Sequence, residues 1–118
     1  MSEHDHMYPQ PSAELNKMKA ELAPDQIDAW RTFSRTVFKK GVLDEKTKQL
    51  IAVAVAHTTQ CPYCIKSHTP AAMRSGASKQ EIMEAIWVAA EMRSGAAYAH
   101  ANLALESMME EDEKAKNK

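Results

Sequence analysis

The chain has 118 residues, of which 44% are hydrophobic and 26% are charged, and its formal net charge is −1 at pH 7. This length fits one domain and excludes two of ordinary size. The near-neutral charge gives no reason to expect a nucleic acid or a membrane as a partner, and no apolar run approaches the ~20 residues that span a bilayer. The polar N-terminus lacks the apolar core of a secretory signal, so we expect a cytoplasmic protein.

Two helices are predicted in the first third of the chain. Residues 1–11 contain two prolines and no apolar period, which predicts a mobile N-terminal arm. Ser12 precedes apolar residues at helical spacing, and Pro24 suits the first turn of a second helix. This second helix presents one apolar face and is expected to end near Gly41. The residues of that face are Ile27, Trp30, Phe33 and Val37.

A third and a fourth helix are predicted around the middle of the chain. Asp44 is a predicted N-cap for a helix that is nearly continuously apolar from Leu50 to Ala56. A helix that is apolar most of the way round is expected to be central. The next helix is predicted to begin around Cys61 and to run to Arg74.

Two further helices complete the predicted fold. Ser78 and Glu81 form a capping-box pattern before an apolar helix. A last helix is predicted from about Ser94 towards Glu110, and the charged residues after it are expected to fray. No strand pattern is present, so the sequence predicts an all-α protein of about six helices. The predicted division is an arm at 1–11, a single helical domain at 12–110 and a charged tail at 111–118.

Both cysteines lie in the stretch QCPYCIKSH, with a histidine four residues after the second. If a helix begins at Cys61, the free amides and the macrodipole of its first turn favour a thiolate there. Cys64 shares the same face and can close a disulfide with Cys61. His68 lies one turn further on, where its imidazole can take a proton from Cys64 near neutral pH. These groups are the ones that thiol–disulfide exchange needs.

Two other interpretations of the cysteine pair stay open. A zinc ion would recruit Cys61, Cys64 and His68, with His57 as a further ligand. Structural zinc sites usually present such a pair from a tight turn, whereas Pro62 and the apolar residues after it favour a helix. The second interpretation is a buried, inert pair. In a reducing compartment a cysteine pair is more often catalytic or metal-binding than a structural link, and the spacing here favours a redox pair without a metal.

The segment LDEKTKQLIAVAVAHTTQCPYCIKSHTPAAMRSGASKQEIMEAIWVAA resembles the core of the carboxymuconolactone decarboxylase superfamily, in its AhpD-like alkylhydroperoxidase branch. The resemblance covers Leu43 to about His100. It rests on the initial KTKQLIAVAVA, the Cys-x-x-Cys-x-x-x-His unit and the GAS-x-x-E-I-x-E-A link. It implies a compact AhpD-like bundle with the cysteine pair at the start of a central helix. It also implies a homo-oligomer, built as a hexamer from a trimer of dimers.

The resemblance implies an activity as well. Family members with both cysteines are thiol-dependent peroxidases or disulfide reductases, which implies a hydroperoxide substrate and an antioxidant role. The catalytic residues would be Cys61, Cys64 and His68. The dithiol reductant can be a lipoyl domain or a thioredoxin-like protein, and no bound cofactor is needed. Decarboxylases of the superfamily typically lack the pair, so the cysteines argue against a lactone decarboxylase.

The order of attack stays open at the level of sequence. The field of the helix start favours Cys61 as the attacking thiolate, whereas His68 favours Cys64. The family pattern slightly favours Cys64 as the cysteine that meets the external partner.

One position departs from the family pattern. The family's proton relay uses a glutamate twelve residues before the first cysteine, and this position is Gln49. A glutamine can hold a hydrogen bond but cannot accept or release a proton at neutral pH. Glu45, one turn earlier, and His57, four residues before Cys61, are further candidates for the relay. The departure makes a non-enzymatic redox-sensing or stress-binding module the main alternative function.

Overall fold

The computed structural model of the chain describes residues 7–117, which contain six α-helices and no β-strand. The all-α class and the helix count predicted from the sequence are confirmed. The helices are α1 (Ala13–Leu22), α2 (Pro24–Phe38), α3 (Glu45–Thr59), α4 (Pro62–Arg74), α5 (Lys79–Ala99) and α6 (Ala101–Lys116). Residues 1–6 of the predicted arm lie outside the described residues, and residues 7–11 precede α1 without helical structure.

The helices form two compact units, one up to Lys39 and one from Lys40 onwards. In the first unit α1 and α2 pack against each other. The Ser12 hydroxyl accepts the backbone N–H of Leu15 at 3.1 Å and so caps α1. Pro24 is the first residue of α2, a position at which its missing N–H is not needed. Both helix starts agree with the prediction.

In the second unit α3 is the central helix, because it packs against both α4 and α5. Val53 of α3 is fully buried. It packs with side chains of α4, α5 and the turn between them, namely Ala72, Ala77 and Ile82, with Leu50 and Ile86 beside them. The predicted central position is therefore confirmed within this unit. The other side of α3 is not covered in the same way, since Ile51 and Val55 are 48% and 53% exposed.

Strong N-caps begin α3 and α5. The Asp44 carboxylate accepts the backbone N–H of Thr47 at 2.8 Å. Ser78 and Glu81 form a reciprocal capping box, in which each side chain accepts the other's backbone N–H, at 3.0 and 2.9 Å. Lys46 then donates to the Glu81 carboxylate at 2.8 Å and joins the first turn of α3 to that of α5. Both predicted caps are confirmed.

Removal of the Ser78 cap is expected to destabilise the chain. Ser78→Ala should lower the free energy of unfolding by about 1 kcal/mol, because the Glu81 backbone N–H loses its acceptor. Urea unfolding followed by circular dichroism measures the change. The matched control is Ser94→Ala within α5, whose hydroxyl is exposed and donates to the Glu91 carbonyl of the same helix. That control should change stability by less than about 0.5 kcal/mol; equal losses for the two variants would contradict the capping account.

The predicted start of the last helix is wrong. The sequence predicts that it begins at about Ser94, but α5 continues past this position to Ala99, and α6 follows. The serine–glycine pair at this point does not end α5, because one glycine costs a helix only about 1 kcal/mol. The break falls instead at His100, whose Nδ1 donates to a carbonyl of the last turn of α5 at 2.6 Å.

The C-terminal residues are more helical than predicted. Helix α6 extends to Lys116, so the expected fraying of the charged tail is wrong for residues 111–116. Two exposed ion pairs at i, i+3 spacing, Glu111–Lys114 and Glu113–Lys116, lie 4.0 and 3.8 Å apart. Pairs of this kind add roughly 0.2–0.5 kcal/mol each to a helix. The division into an arm, one domain over 12–110 and a tail stays a prediction.

Candidate functional site

A tight reversal between α3 and α4 places the cysteine pair. Gln60 ends α3 in the left-handed region at φ 57°, a conformation that costs a residue with a Cβ roughly 1–2 kcal/mol. Its N–H and that of Cys61 both donate to the Ala56 carbonyl, the second at 3.1 Å. The chain then turns back, and α4 packs against α3 with Pro62 as its first residue. Cys61 is therefore the N-cap of α4, next to the predicted helix start.

Contacts at the end of α3 support this reversal. The Arg93 guanidinium of α5 donates to the Thr58 carbonyl, and a cation is favourable at a helix C-terminus. His57, half-buried in the same turn, donates through Nδ1 to the Val53 carbonyl at 2.8 Å, since a carbonyl oxygen can only accept. The role of Arg93 was not predicted, because it depends on the packing of two helices and not on a local motif.

The two thiols lie side by side in the first turn of α4. The Cys64 backbone N–H donates to Cys61 Sγ at 3.3 Å, so this sulfur serves as the cap of the helix. The two Sγ atoms are 2.6 Å apart, and both cysteines are free and half-buried. A disulfide joins its sulfurs at about 2.05 Å, so a small movement closes the bond. The structure thus brings together the two cysteines that the sequence assigns to one redox pair.

The surroundings of the two thiols shift their pKa values in opposite directions. The hydrogen bond with the Cys64 side chain, followed by the Cys64 backbone N–H, lowers the pKa of Cys61, and desolvation opposes this effect. The same side-chain contact, followed by desolvation and the charge of Cys61, raises the pKa of Cys64. Because Cys61 has the lowered pKa, it loses its proton first, and Cys64 is then the donor and the Cys61 sulfur the acceptor between the two thiols. The geometry therefore favours a thiolate at Cys61.

Gln49 and His68 meet at the contact between α3 and α4. The His68 Nδ1 lies 2.8 Å from the Gln49 Oε1, and both residues are half-buried. His68 is four residues after Cys64 on α4, so the two share one face of the helix. The sequence places Gln49 and His68 in the same site, but no spacing rule predicts a bond between them, because 19 residues and a chain reversal separate them.

The other predicted relay residues lie on α3. Glu45 is the first residue of that helix and is exposed, one turn before Gln49. His57 bonds its own helix near the opposite end, as described above. A role for either residue in proton transfer stays a prediction. Tyr63, between the cysteines, is 42% exposed and so borders the accessible side of the pair.

The described residues offer no evident metal cluster. Among residues 7–117, no three histidine, cysteine or acidic side chains converge so that they could hold a metal ion. The zinc interpretation would gather both cysteines, His57 and His68 around one ion, whereas the two rings bond Val53 and Gln49. Within the same residues, no helix combines the length and the apolar character needed to cross a bilayer.

Comparison with known proteins identifies the family. The model of the carboxymuconolactone decarboxylase family matches residues 24–107. The chain belongs to the carboxymuconolactone decarboxylase family. A relative from Paracoccus denitrificans, named "Uncharacterized protein 4 in cox locus", is 64% identical over 85 residues, which cover 72% of this chain and 77% of the relative. The family resemblance drawn from the sequence is confirmed.

Solved structures of carboxymuconolactone decarboxylase family proteins share this fold. One from Legionella pneumophila is 34% identical with a TM-score of 0.63, and the match covers 82% of this chain and 86% of that one. Another, from Thermotoga maritima, is 28% identical with a TM-score of 0.55, and the match covers 79% and 96% of the two chains. A role in antioxidative response has been suggested for the Thermotoga protein. These likenesses agree with the all-α architecture.

Proposed function

We propose that this chain is a thiol-dependent peroxidase and disulfide reductase of the AhpD-like type, acting in antioxidant defence in the cytoplasm. The observation that carries the proposal is the reduced pair at the start of α4, with sulfurs 2.6 Å apart and a lowered pKa at Cys61. A lowered pKa increases the fraction of the nucleophilic thiolate at neutral pH, and a second thiol beside it can resolve the oxidised product. The antioxidative role suggested for the Thermotoga protein supports the same function.

The proposed reaction starts with the Cys61 thiolate and a hydroperoxide. The sulfur attacks the terminal oxygen, an S–O bond forms and the O–O bond breaks, and the leaving oxygen takes a proton and departs as an alcohol or water. Cys61 is thereby oxidised by two electrons to a sulfenic acid. Cys64 then attacks this sulfur, the S–S bond forms, and the hydroxyl leaves as water. A dithiol reduces the disulfide by exchange and becomes a disulfide itself.

The proposed reductant is a protein-bound dithiol, either a lipoyl domain or a thioredoxin-like protein. Such a partner must reach one sulfur of the pair, and the half-buried cysteines beside the exposed Tyr63 leave an accessible side. His68 is the proposed proton acceptor when Cys64 attacks, with Gln49 as its hydrogen-bond partner at the relay position and with Glu45 and His57 as candidates for further proton transfer. No bound cofactor is required.

Oxidation is expected to consume two thiols per chain. Reduced protein treated with one equivalent of a hydroperoxide should lose both thiols, because Cys61 and Cys64 join within the chain. Thiol titration after denaturation gives the count, and peptide mass analysis locates the link. Dihydrolipoamide should restore both thiols. Two thiols that persist under oxidant would overturn the proposal.

Turnover separates the peroxidase from the alternative of a redox-sensing module. With a hydroperoxide in excess and dihydrolipoamide present, a peroxidase consumes many equivalents of peroxide per chain. A sensing module forms the same disulfide, which dihydrolipoamide does not reduce during the assay, and it therefore consumes only one equivalent before it stops. The two outcomes use the same thiol chemistry and differ only in repeated turnover.

We also propose that the protein is a homo-oligomer, a hexamer built as a trimer of dimers. Helix α6 has no buried residue, and large apolar side chains are exposed along α5 and α6. These are Met83, Trp87, Val88 and Met92 of α5 and Leu103, Leu105, Met108 and Met109 of α6. Trp87, the largest of these side chains, is 69% exposed. Exposed apolar residues at this density are typical of surfaces that bind another chain.

Light scattering at micromolar concentration tests the oligomer. We expect a mass of several chains, and a mass near that of one chain, 13.2 kDa, would contradict the proposal. Trp87→Glu should lower the mass, because a carboxylate is costly to bury in an apolar interface. Lys17→Glu is the control, since it changes charge at an exposed position of α1 and should leave the mass unchanged.

A further inference from the structure

The contact between Gln49 and His68 determines where the proton of a neutral imidazole ring lies. A neutral histidine carries one N–H, on either Nδ1 or Nε2, and the partner of each nitrogen decides which. The partner of the His68 Nδ1 is the amide oxygen Oε1 of Gln49, at 2.8 Å. An amide oxygen can only accept a hydrogen bond, so Nδ1 must donate.

We propose that Gln49 is a positioning residue that fixes the tautomer of the neutral His68 ring, with the hydrogen on Nδ1 and the lone pair on Nε2. The two residues are held face to face by the packing of α3 against α4, and both are half-buried. A carboxylate at position 49 would also accept from Nδ1, but its negative charge would favour the doubly protonated ring. The uncharged Gln49 amide holds the His68 ring in the same orientation without placing a negative charge beside it.

The consequence for chemistry rests on the proposed function. When the Cys64 sulfur attacks the Cys61 sulfenic sulfur, the Cys64 proton passes to Nε2 of His68. The S–S bond forms, the S–O bond breaks, and the imidazolium returns that proton from Nε2 to the departing hydroxide, which leaves as water. Gln49 cannot take up a proton, so the proton enters and leaves at Nε2 and is not passed on through Gln49.

The tautomer of His68 can be measured without any catalytic turnover. In full-length reduced protein labelled with ¹⁵N-histidine at neutral pH, each ring shows which nitrogen carries hydrogen. His68→Gln assigns the His68 signals by their loss. His57 is the internal control, because its Nδ1 donates to the Val53 carbonyl and must give the Nδ1–H pattern whatever stands at position 49.

We expect the Nδ1–H pattern for His68 in the wild-type chain. Gln49→Leu removes the acceptor and should shift His68 towards the Nε2–H form, while His57 stays unchanged. Gln49→Glu should give a ring protonated on both nitrogens at the same pH. If Gln49→Leu does not fold, the wild-type pattern and Gln49→Glu decide the matter. An Nε2–H pattern in wild type, or a His68 pattern indifferent to both substitutions, overturns the proposal. The proposed function can fail independently, since a protein that consumes no peroxide can still show this tautomer.

Discussion

Replacing Cys61 with serine is expected to lower the rate of peroxide turnover by roughly 10³-fold or more. A serine hydroxyl stays protonated under conditions in which a thiol with a lowered pKa ionises. Cys64→Ser should also stop the cycle, but after a single reaction, since Cys61 can still be oxidised to a sulfenic acid and then has no resolving thiol. Peroxide consumption with dihydrolipoamide measures both losses. A sulfenic-acid trap should label the Cys64→Ser protein and not the Cys61→Ser protein.

The pH dependence of alkylation tests the cause of the pKa shift at Cys61. The pKa of Cys61 is lowered chiefly by the Cys64 side chain, so its thiolate is present at lower pH than that of an ordinary thiol. Cys64→Ala removes this donor and should move the alkylation midpoint of Cys61 to higher pH. Cys64→Ser keeps a hydroxyl donor and is the matched control, with a smaller rise. Sulfenic-acid labelling on Cys64 in the Cys61→Ser protein would reverse the assignment of the two roles.

Gln49→Glu is expected to raise peroxide turnover by an order of magnitude or more. General acid–base help is worth roughly 10²–10⁴-fold. A carboxylate beside His68 would hold a protonated ring that gives its proton to the leaving oxygen and is then neutral, able to accept the proton of Cys64 in the next step. Disulfide formation at equilibrium should change little, since it depends on the thiols and their cap. Steady-state peroxide consumption measures the first quantity and thiol counting the second. A thermal melt must first show that the half-buried new carboxylate leaves the chain folded.

Two control variants decide how the Gln49→Glu result is interpreted. Glu45→Gln and His57→Ala each remove one other candidate for the relay, and neither should reduce turnover if the site depends on position 49. If folded Gln49→Glu protein is no faster than wild type while one of these variants is inactive, proton transfer runs through Glu45 or His57.

Most of the helix starts could be predicted because their causes are local. An N-cap needs one side chain and the backbone amide three residues later, so Ser12, Asp44 and Ser78 can be identified as N-caps from the sequence. The cysteine pair could be placed for the same reason, since a helix start and a three-residue spacing determine that two sulfurs meet. The end of α5 is different, because a glycine inside a helix and a glycine after a helix look alike in sequence.

The parts of the site that escaped prediction depend on packing between helices. The bond between Gln49 and His68 exists because α4 turns back along α3, and the Arg93 contact with Thr58 exists because α5 packs on the same helix. Which residues of the apolar α3 stay exposed, here Ile51 and Val55, could not be predicted either. An apolar pattern indicates that one side of a helix is buried away from water. It does not show whether that side packs against a helix of the same chain or against a second chain.

The sulfur of Cys61 has two tasks that a single atom cannot perform fully at once. In the reduced chain it accepts the Cys64 backbone N–H and so anchors the first turn of α4. A disulfide sulfur carries no negative charge, so after a bond to Cys64 it would be a weaker acceptor than the thiolate that the lowered pKa of Cys61 favours. In the proposed cycle, oxidation would therefore weaken this one hydrogen bond at the start of α4, and reduction would restore it. We expect the first turn of α4 to differ between the two states, so that a partner in contact with this turn would meet a different surface in each.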